Sequence, residues 1–323
     1  MRKIYRLFVL NLCVLISFLI FAEIVTRVSI YFYLGNSSAG LNERQQNLNY
    51  QPFTMFGPNW HKLFLNYKRD PNKFVIMIIG GSAANGFPNE VIKEKISKKI
   101  NKEVDIINTG SGGYNAKQSY IILSMFGPKI KPDLIISFDG GNDIIHSLIT
   151  NEPGTFYLNS TYELYLTKPL LSPFIWILQN SQLYNSINRI SSRSQNFEIK
   201  DYYEFIDDYI QTQKNIINFS NYLNAKYISI LQPFSIFKNP IHEKEKLNYN
   251  YQYRDKIVKD IHIIIDKKLT NIHEGSINSY YLNGANFFKN EPRWIFSDDV
   301  HFKNNIGYEI VVDNINKTIE EIF

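Results

Sequence analysis

The sequence predicts an α/β layer sandwich on a parallel β-sheet, preceded by one transmembrane helix. Three observations carry this expectation. First, the short runs FVIMIIG (Phe74–Gly80), VDIINTG (Val104–Gly110), DLIISFDG (Asp133–Gly140) and KYISILQP (Lys226–Pro233) are rich in β-formers. FVIMIIG is apolar without a break, as in a strand buried on both faces of a parallel sheet. Second, stretches of helical apolar spacing separate these runs, giving a strand–turn–helix rhythm. Third, the N-terminus carries a long uncharged apolar stretch.

Taken in order, that stretch extends from Leu7 to Ala22 without a charge and resumes after Glu23. Its length suits a bilayer-spanning helix. Arg2, Lys3 and Arg6 precede it. The positive-inside rule then places the short N-terminus in the cytoplasm and the rest on the periplasmic or extracellular side, as a single-pass membrane protein. The rival readings are a signal peptide cleaved near Ala22 and a buried core helix. The run is long for a signal peptide and lacks a small-x-small cleavage site, which favours an uncleaved anchor over residues 1–28.

Residues 29–72 mix Ser, Gly, Asn, Gln and Pro with aromatics such as Phe53, Phe56 and Trp60, and read as a connector packing partly on the domain at 73–323. Val91, Ile92, Ile96 and Ile100 predict a first crossover helix over Asn89–Ile100. Gln118–Met125 continues a helical stretch, closed by Gly127-Pro128. Residues 145–200 break the rhythm. They are aromatic-rich, with Pro169 and Pro173, and read as an inserted helical cap or lid. Phe174–Trp176 with Tyr157, Tyr162 and Tyr165 reads as lid packing, with a sugar-stacking platform as the alternative. Tyr202, Phe205, Ile206, Tyr209 and Ile210 predict a helix across Asp201–Leu223. Further helices are expected over Asp255–Leu269 and Gly307–Phe323. No internal repeat is visible.

The chain has 323 residues, 44% hydrophobic and 20% charged, with a net charge of +5. No dense Lys/Arg stripe accompanies a nucleic-acid motif, so nucleic-acid binding is not expected. Cys13 is the sole cysteine, which excludes an intramolecular disulfide and a Cys-based metal site. His61, His146, His242, His262 and His273 lack ligand-like spacing, so a metal is not expected.

Four segments carry candidate chemistry. GGSAANG places Ser82 just after the first strand. INTGSGGYN follows the second strand and contains Gly113. GGND follows the third, with Asn142. SDDVHF supplies Asp298 and His301 near the C-terminus. In an open parallel sheet, ligands sit beyond the carboxyl ends of the strands. The fold therefore gathers Ser82, Gly113 and Asn142 at one rim. A serine hydroxyl needs a base within reach, and His301 with Asp298 as its orienter fits that need. Backbone amides of Ser82 and Gly113 and the Asn142 side chain are candidate oxyanion donors. Asp299 is the alternative to Asp298. Asp139 and Asp143 read as structural, with Asp143 bonding loop amides, and His146 as a polar residue beginning the insertion.

The four segments resemble the blocks of the SGNH hydrolases, the GDSL-type esterases and lipases. GGS matches the first block, with Ser82 at the nucleophile position. Asn108-x-Gly110-x-x-Gly113 matches the second, Gly-x-Asn142-Asp143 the third, and Asp298-x-x-His301 the last. Gly81 stands where the family usually has Asp. Gly-Gly-Ser variants occur among membrane-anchored members linked to cell-surface polysaccharide modification. The resemblance implies a flavodoxin-like three-layer sandwich. It also implies a serine esterase acting on O-acyl, especially O-acetyl, esters of an acylated carbohydrate or another small ester, with no cofactor. Acetyl transfer to a sugar hydroxyl would use the same triad. The reading from a different class is a non-catalytic surface-assembly protein on a degenerate SGNH scaffold.

Overall fold

The apolar N-terminal run folds as one helix, α1 (Arg2–Leu34). Its segment Tyr5–Ser29 is long and apolar enough to cross a bilayer, and none of it is buried. Membrane spans and signal sequences both have these properties. The computed structural model describes residues 2–34, 50–150, 202–246 and 252–323, with 167–171 and a few positions up to Tyr184. Much of the expected insertion, including Tyr157, Tyr162, Tyr165 and Trp176, lies outside the described residues. Two units form. One holds Met1–Leu48 and Leu158–Asn196, the other Asn49–Tyr157 and Phe197–Phe323.

The second unit begins with an antiparallel pair, β1 (Tyr50–Gln51) and β2 (Met55–Phe56), and a short helix α2 (Trp60–Phe64). Then β3 (Phe74–Gly80) leads through α3 (Ser82–Asn85) to α4 (Asn89–Ile100). Next come β4 (Val104–Asn108), α5 (Ala116–Ile130), β5 (Leu134–Asp139) and α6 (Gly141–Thr150). After the insertion follow α7 (Tyr203–Tyr222), β6 (Lys226–Leu231), α8 (Glu243–Lys246), α9 (Gln252–Glu274), β7 (Ser279–Asn283) and α10 (Asn305–Ile322).

The expected parallel sheet is present. It has five strands in the order β4-β3-β5-β6-β7, every neighbouring pair parallel. Every residue of β3 and β5 is buried, which explains why β3 is apolar throughout and β5 is apolar except for Ser137 and Asp139. Alternation along the strands feeds two layers. Ile76, Ile78, Leu134 and Ile136 face Ile92 and Ile96 of α4 and Val311 and Ile315 of α10 in one cluster. A second cluster joins Ile144 of α6, Phe205 and Ile206 of α7 and Ile261 and Ile265 of α9. The layers make the three-layer α/β sandwich expected from the sequence.

α5 and β7 depart from expectation. α5 does not stop at Gly127-Pro128 but includes Pro128 and ends at Ile130, with Lys131 in the left-handed conformation as its cap. Pro128 has no amide to give the Ser124 carbonyl, and the helix ends two residues later. β7, at the sheet edge, adds a fifth strand that the apolar runs did not announce.

Candidate active site

The chain runs from β3 outward to β4 on one side, then returns to β5 on the other. That reversal opens a crevice at the carboxyl ends of β3 and β5. The register pairs Gly80 with Phe138, so the turns after the two strands lie side by side. Both turns need glycine. Gly80 has φ 147° and Gly140 has φ 98°, backbone regions that side chains disfavour. A Cβ on Gly80 would lie 2.5 Å from the Phe138 carbonyl oxygen.

Ser82 opens α3 immediately beyond this turn. Its Oγ lies 2.6 Å from His301 Nε2. His301 Nδ1 lies 2.7 Å from Asp298 Oδ2. The other carboxylate oxygen, Oδ1, accepts the backbone amides of Val300 (2.9 Å) and His301 (2.8 Å). Asp298 thus folds its own loop and orients the ring that the loop delivers. Burial pulls the Asp298 carboxyl upward, but the His301 ring bond, the His301 charge and the two amides outweigh it and hold it below its ordinary value. The His301 and Asp298 side chains remain 43% and 53% exposed. The neighbouring Asp299 has a different place: its backbone carbonyl accepts the Ser235 amide at 2.8 Å.

Asn142 sits in the first turn of α6. Its Nδ2 donates to the Tyr114 carbonyl at 2.8 Å, which leaves the second N–H of the same amide for another acceptor. A Cβ on Gly81 would lie 2.4 Å from that Nδ2 and 2.9 Å from the Tyr114 oxygen. The segment leading into Ser82, the Asn142 amide and the loop after β4 are therefore in direct contact. Gly113 is next to Tyr114 in that loop, with φ 80°.

Asp143 ties the same loops from behind. Its carboxylate accepts the amides of Ala116 (3.0 Å) and Gly140 (3.2 Å). Burial, then the Asp139 charge, push the Asp143 carboxyl up to about 7 against those amides. Asp139 is pushed up to about 6 by burial, countered by hydroxyl bonds from Ser137 and Ser119. His146 lies one turn on and is buried, which lowers it to about 4.

Sequence reasoning missed the support under Tyr114. Its buried hydroxyl donates to the Phe56 carbonyl (2.8 Å) and accepts from Trp60 Nε1 (3.1 Å). A Cβ on Gly57 would lie 2.1 Å from that hydroxyl. Residues read as a connector thus brace the loop carrying Gly113. Only the Phe56 and Trp60 aromatics hinted at it. Among the described residues, no group of three His, Cys, Asp or Glu is placed to hold a metal ion.

No protein-family model matches the chain, and no curated protein does. Solved structures do resemble it at low identity. An acetyl xylan esterase is 14% identical with a TM-score of 0.47, covering 76% of this chain and 99% of its own. A GDSL-like lipase from Bacteroides thetaiotaomicron is 11% identical with a TM-score of 0.45, covering 81% of this chain and 98% of its own. A catalytic mutant of an acetylxylan esterase from Geobacillus stearothermophilus is 13% identical with a TM-score of 0.45, covering 77% of this chain and 94% of its own. Likenesses of this degree say nothing about activity.

Proposed function

We propose that the chain is a serine esterase that cleaves O-acyl esters through an acyl-enzyme on Ser82. The observation that carries this reading is the relay from Ser82 Oγ to His301 Nε2 (2.6 Å) and from His301 Nδ1 to Asp298 (2.7 Å). His301 takes the hydroxyl proton as Oγ attacks the acyl carbon, while Asp298 fixes the ring tautomer and stabilises the imidazolium. The amides of Ser82 and Gly113 and the second Asn142 N–H receive the oxyanion. His301 then protonates the departing alkoxide, and water or another hydroxyl releases the acyl group by the reverse sequence.

The half-exposed His301 and Asp298 side chains suit an ester carried on a bulky molecule, and an O-acetylated polysaccharide is the substrate we favour. The α1 helix supports a membrane anchor, with Arg2, Lys3 and Arg6 at its start favouring a catalytic unit outside the cytoplasm. A fluorophosphonate probe tests the core of the proposal. It should add to Ser82 in the wild type and fail with Ser82→Ala and His301→Ala. A folded wild type that takes up no probe points to a non-catalytic scaffold.

A further inference from the structure

Glu23 is the one acidic residue in the first 27 and lies near the C-terminal end of the apolar Tyr5–Ser29 stretch. A carboxylate on a lipid-facing helix is costly unless partnered, so its partners are informative. One oxygen accepts Arg27 Nε at 2.8 Å, a turn further on. The other accepts Ser181 Oγ at 2.8 Å and the Leu183 amide at 3.0 Å. Ser181 Oγ in turn accepts the Tyr184 amide at 3.0 Å, so the segment is capped where it meets the helix. A second stretch of the same unit is therefore fastened to α1 at the level of Glu23.

That stretch turns large apolar side chains outward. Leu170 is 91% exposed, Phe174 65%, Ile177 57% and Leu171 46%. A 3-10 turn forms Pro169–Leu171, and Phe174 and Ile177 are helical. In the sequence Leu170, Phe174 and Ile177 recur at spacings of four and then three residues, the pattern of one apolar helix stripe. The exposed cation Lys168 stands just before them. Exposed apolar clusters of this kind mark a membrane or protein contact. Here the face belongs to a segment bonded to a helix whose own Phe8, Leu10 and Phe18 are more than 60% exposed. The two apolar surfaces share one unit, and lipid is the partner that covers both.

We propose that the segment carrying Leu170, Phe174 and Ile177 is a second membrane contact, lying in the boundary between headgroups and acyl chains, with Glu23 as its latch. Amphipathic segments with an apolar face and a flanking cation bind there. The proposal rests on reading α1 as a membrane span.

The test uses the full-length chain in vesicles of phosphatidylcholine and phosphatidylglycerol. An environment-sensitive fluorophore is attached to the native Cys13 or, in a Cys13→Ser background, to Phe174→Cys, Ile177→Cys or the control Lys98→Cys. Spin-labelled lipid and aqueous iodide serve as quenchers. Labels at 174 and 177 should be quenched by lipid spin-labelled near the headgroup. Iodide should reach them several-fold less than the control. Cys13 should respond to lipid spin-labelled deep in the acyl chain. Adding Glu23→Ala should restore iodide access at 174 and 177 while Cys13 stays in lipid. Free iodide access at both positions with Cys13 in lipid overturns the proposal and leaves the span standing. Shielding from both quenchers overturns it too, because protein then covers the face. A Cys13 label outside lipid overturns the span and the proposal together. Quenching unchanged by Glu23→Ala overturns the latch.

Discussion

At Gly81, the lack of a Cβ lets the Asn142 amide lie against the chain that enters Ser82. This gives a physical reason for glycine at this position: a side chain would strike both Asn142 Nδ2 and the Tyr114 carbonyl. Removing Asn142 should act on the rate, since a bond to the oxyanion strengthens only as charge develops. Asn142→Ala should lower kcat by about 10²–10³ with KM nearly constant. Steady-state kinetics with p-nitrophenyl acetate, beside a melting curve, check this. Gly81→Asp should also depress kcat, because it displaces the same amide. If Asn142 only capped a turn, its alanine variant would lose about 1 kcal/mol of stability and keep its turnover.

The loop carrying Asp298 and His301 is held by an element far from it in sequence. Lys238 and Glu245 form a fully buried ion pair at 2.5 Å. Glu245 also accepts the amides of Ile295 (2.8 Å) and Phe296 (2.9 Å), just before the loop. Glu245→Gln leaves a buried ammonium without its counter-charge and should cost about 3–5 kcal/mol, read as a lowered denaturation midpoint. No sequence pattern announces that pair, because its partners meet only after the chain folds. Burial explains what was legible. β3 and α4 match their expected limits, because β3 is buried throughout and α4 keeps Ile92 and Ile96 inward. β7, SYYLN, is an edge strand and mostly half-buried, so it carries no continuous apolar run to betray it. The order of the four motifs made Ser82, Asn142, Asp298 and His301 legible. The role of Trp60, which bonds to Tyr114 across 54 residues, was not legible, since its aromatic stretch gives no sign of so distant a partner.

Across the whole molecule, buried titrating groups oppose one another. The raised Asp143 holds its proton in the folded state where the unfolded chain releases it. Its contribution to stability is therefore full below about pH 4 and is lost as pH rises through about 7. His146, His262 and His273, all lowered to about 4 by burial, do the reverse and contribute stability above about pH 6.5 that is lost as pH falls through 4. Asp143→Asn cannot titrate, while the histidines are common to both proteins. The stability advantage of wild type over Asp143→Asn should therefore shrink between pH 4 and 8, as calorimetric melting temperatures would register. The molecule also sets a clock. Ser82 and His301 meet across 219 residues of chain, and closing so long a loop waits until the intervening strands have docked. After dilution from denaturant, turnover should lag behind the return of sheet signal in circular dichroism. A chain halted before its last helix packs would be folded to the eye of the spectrometer and silent toward its ester.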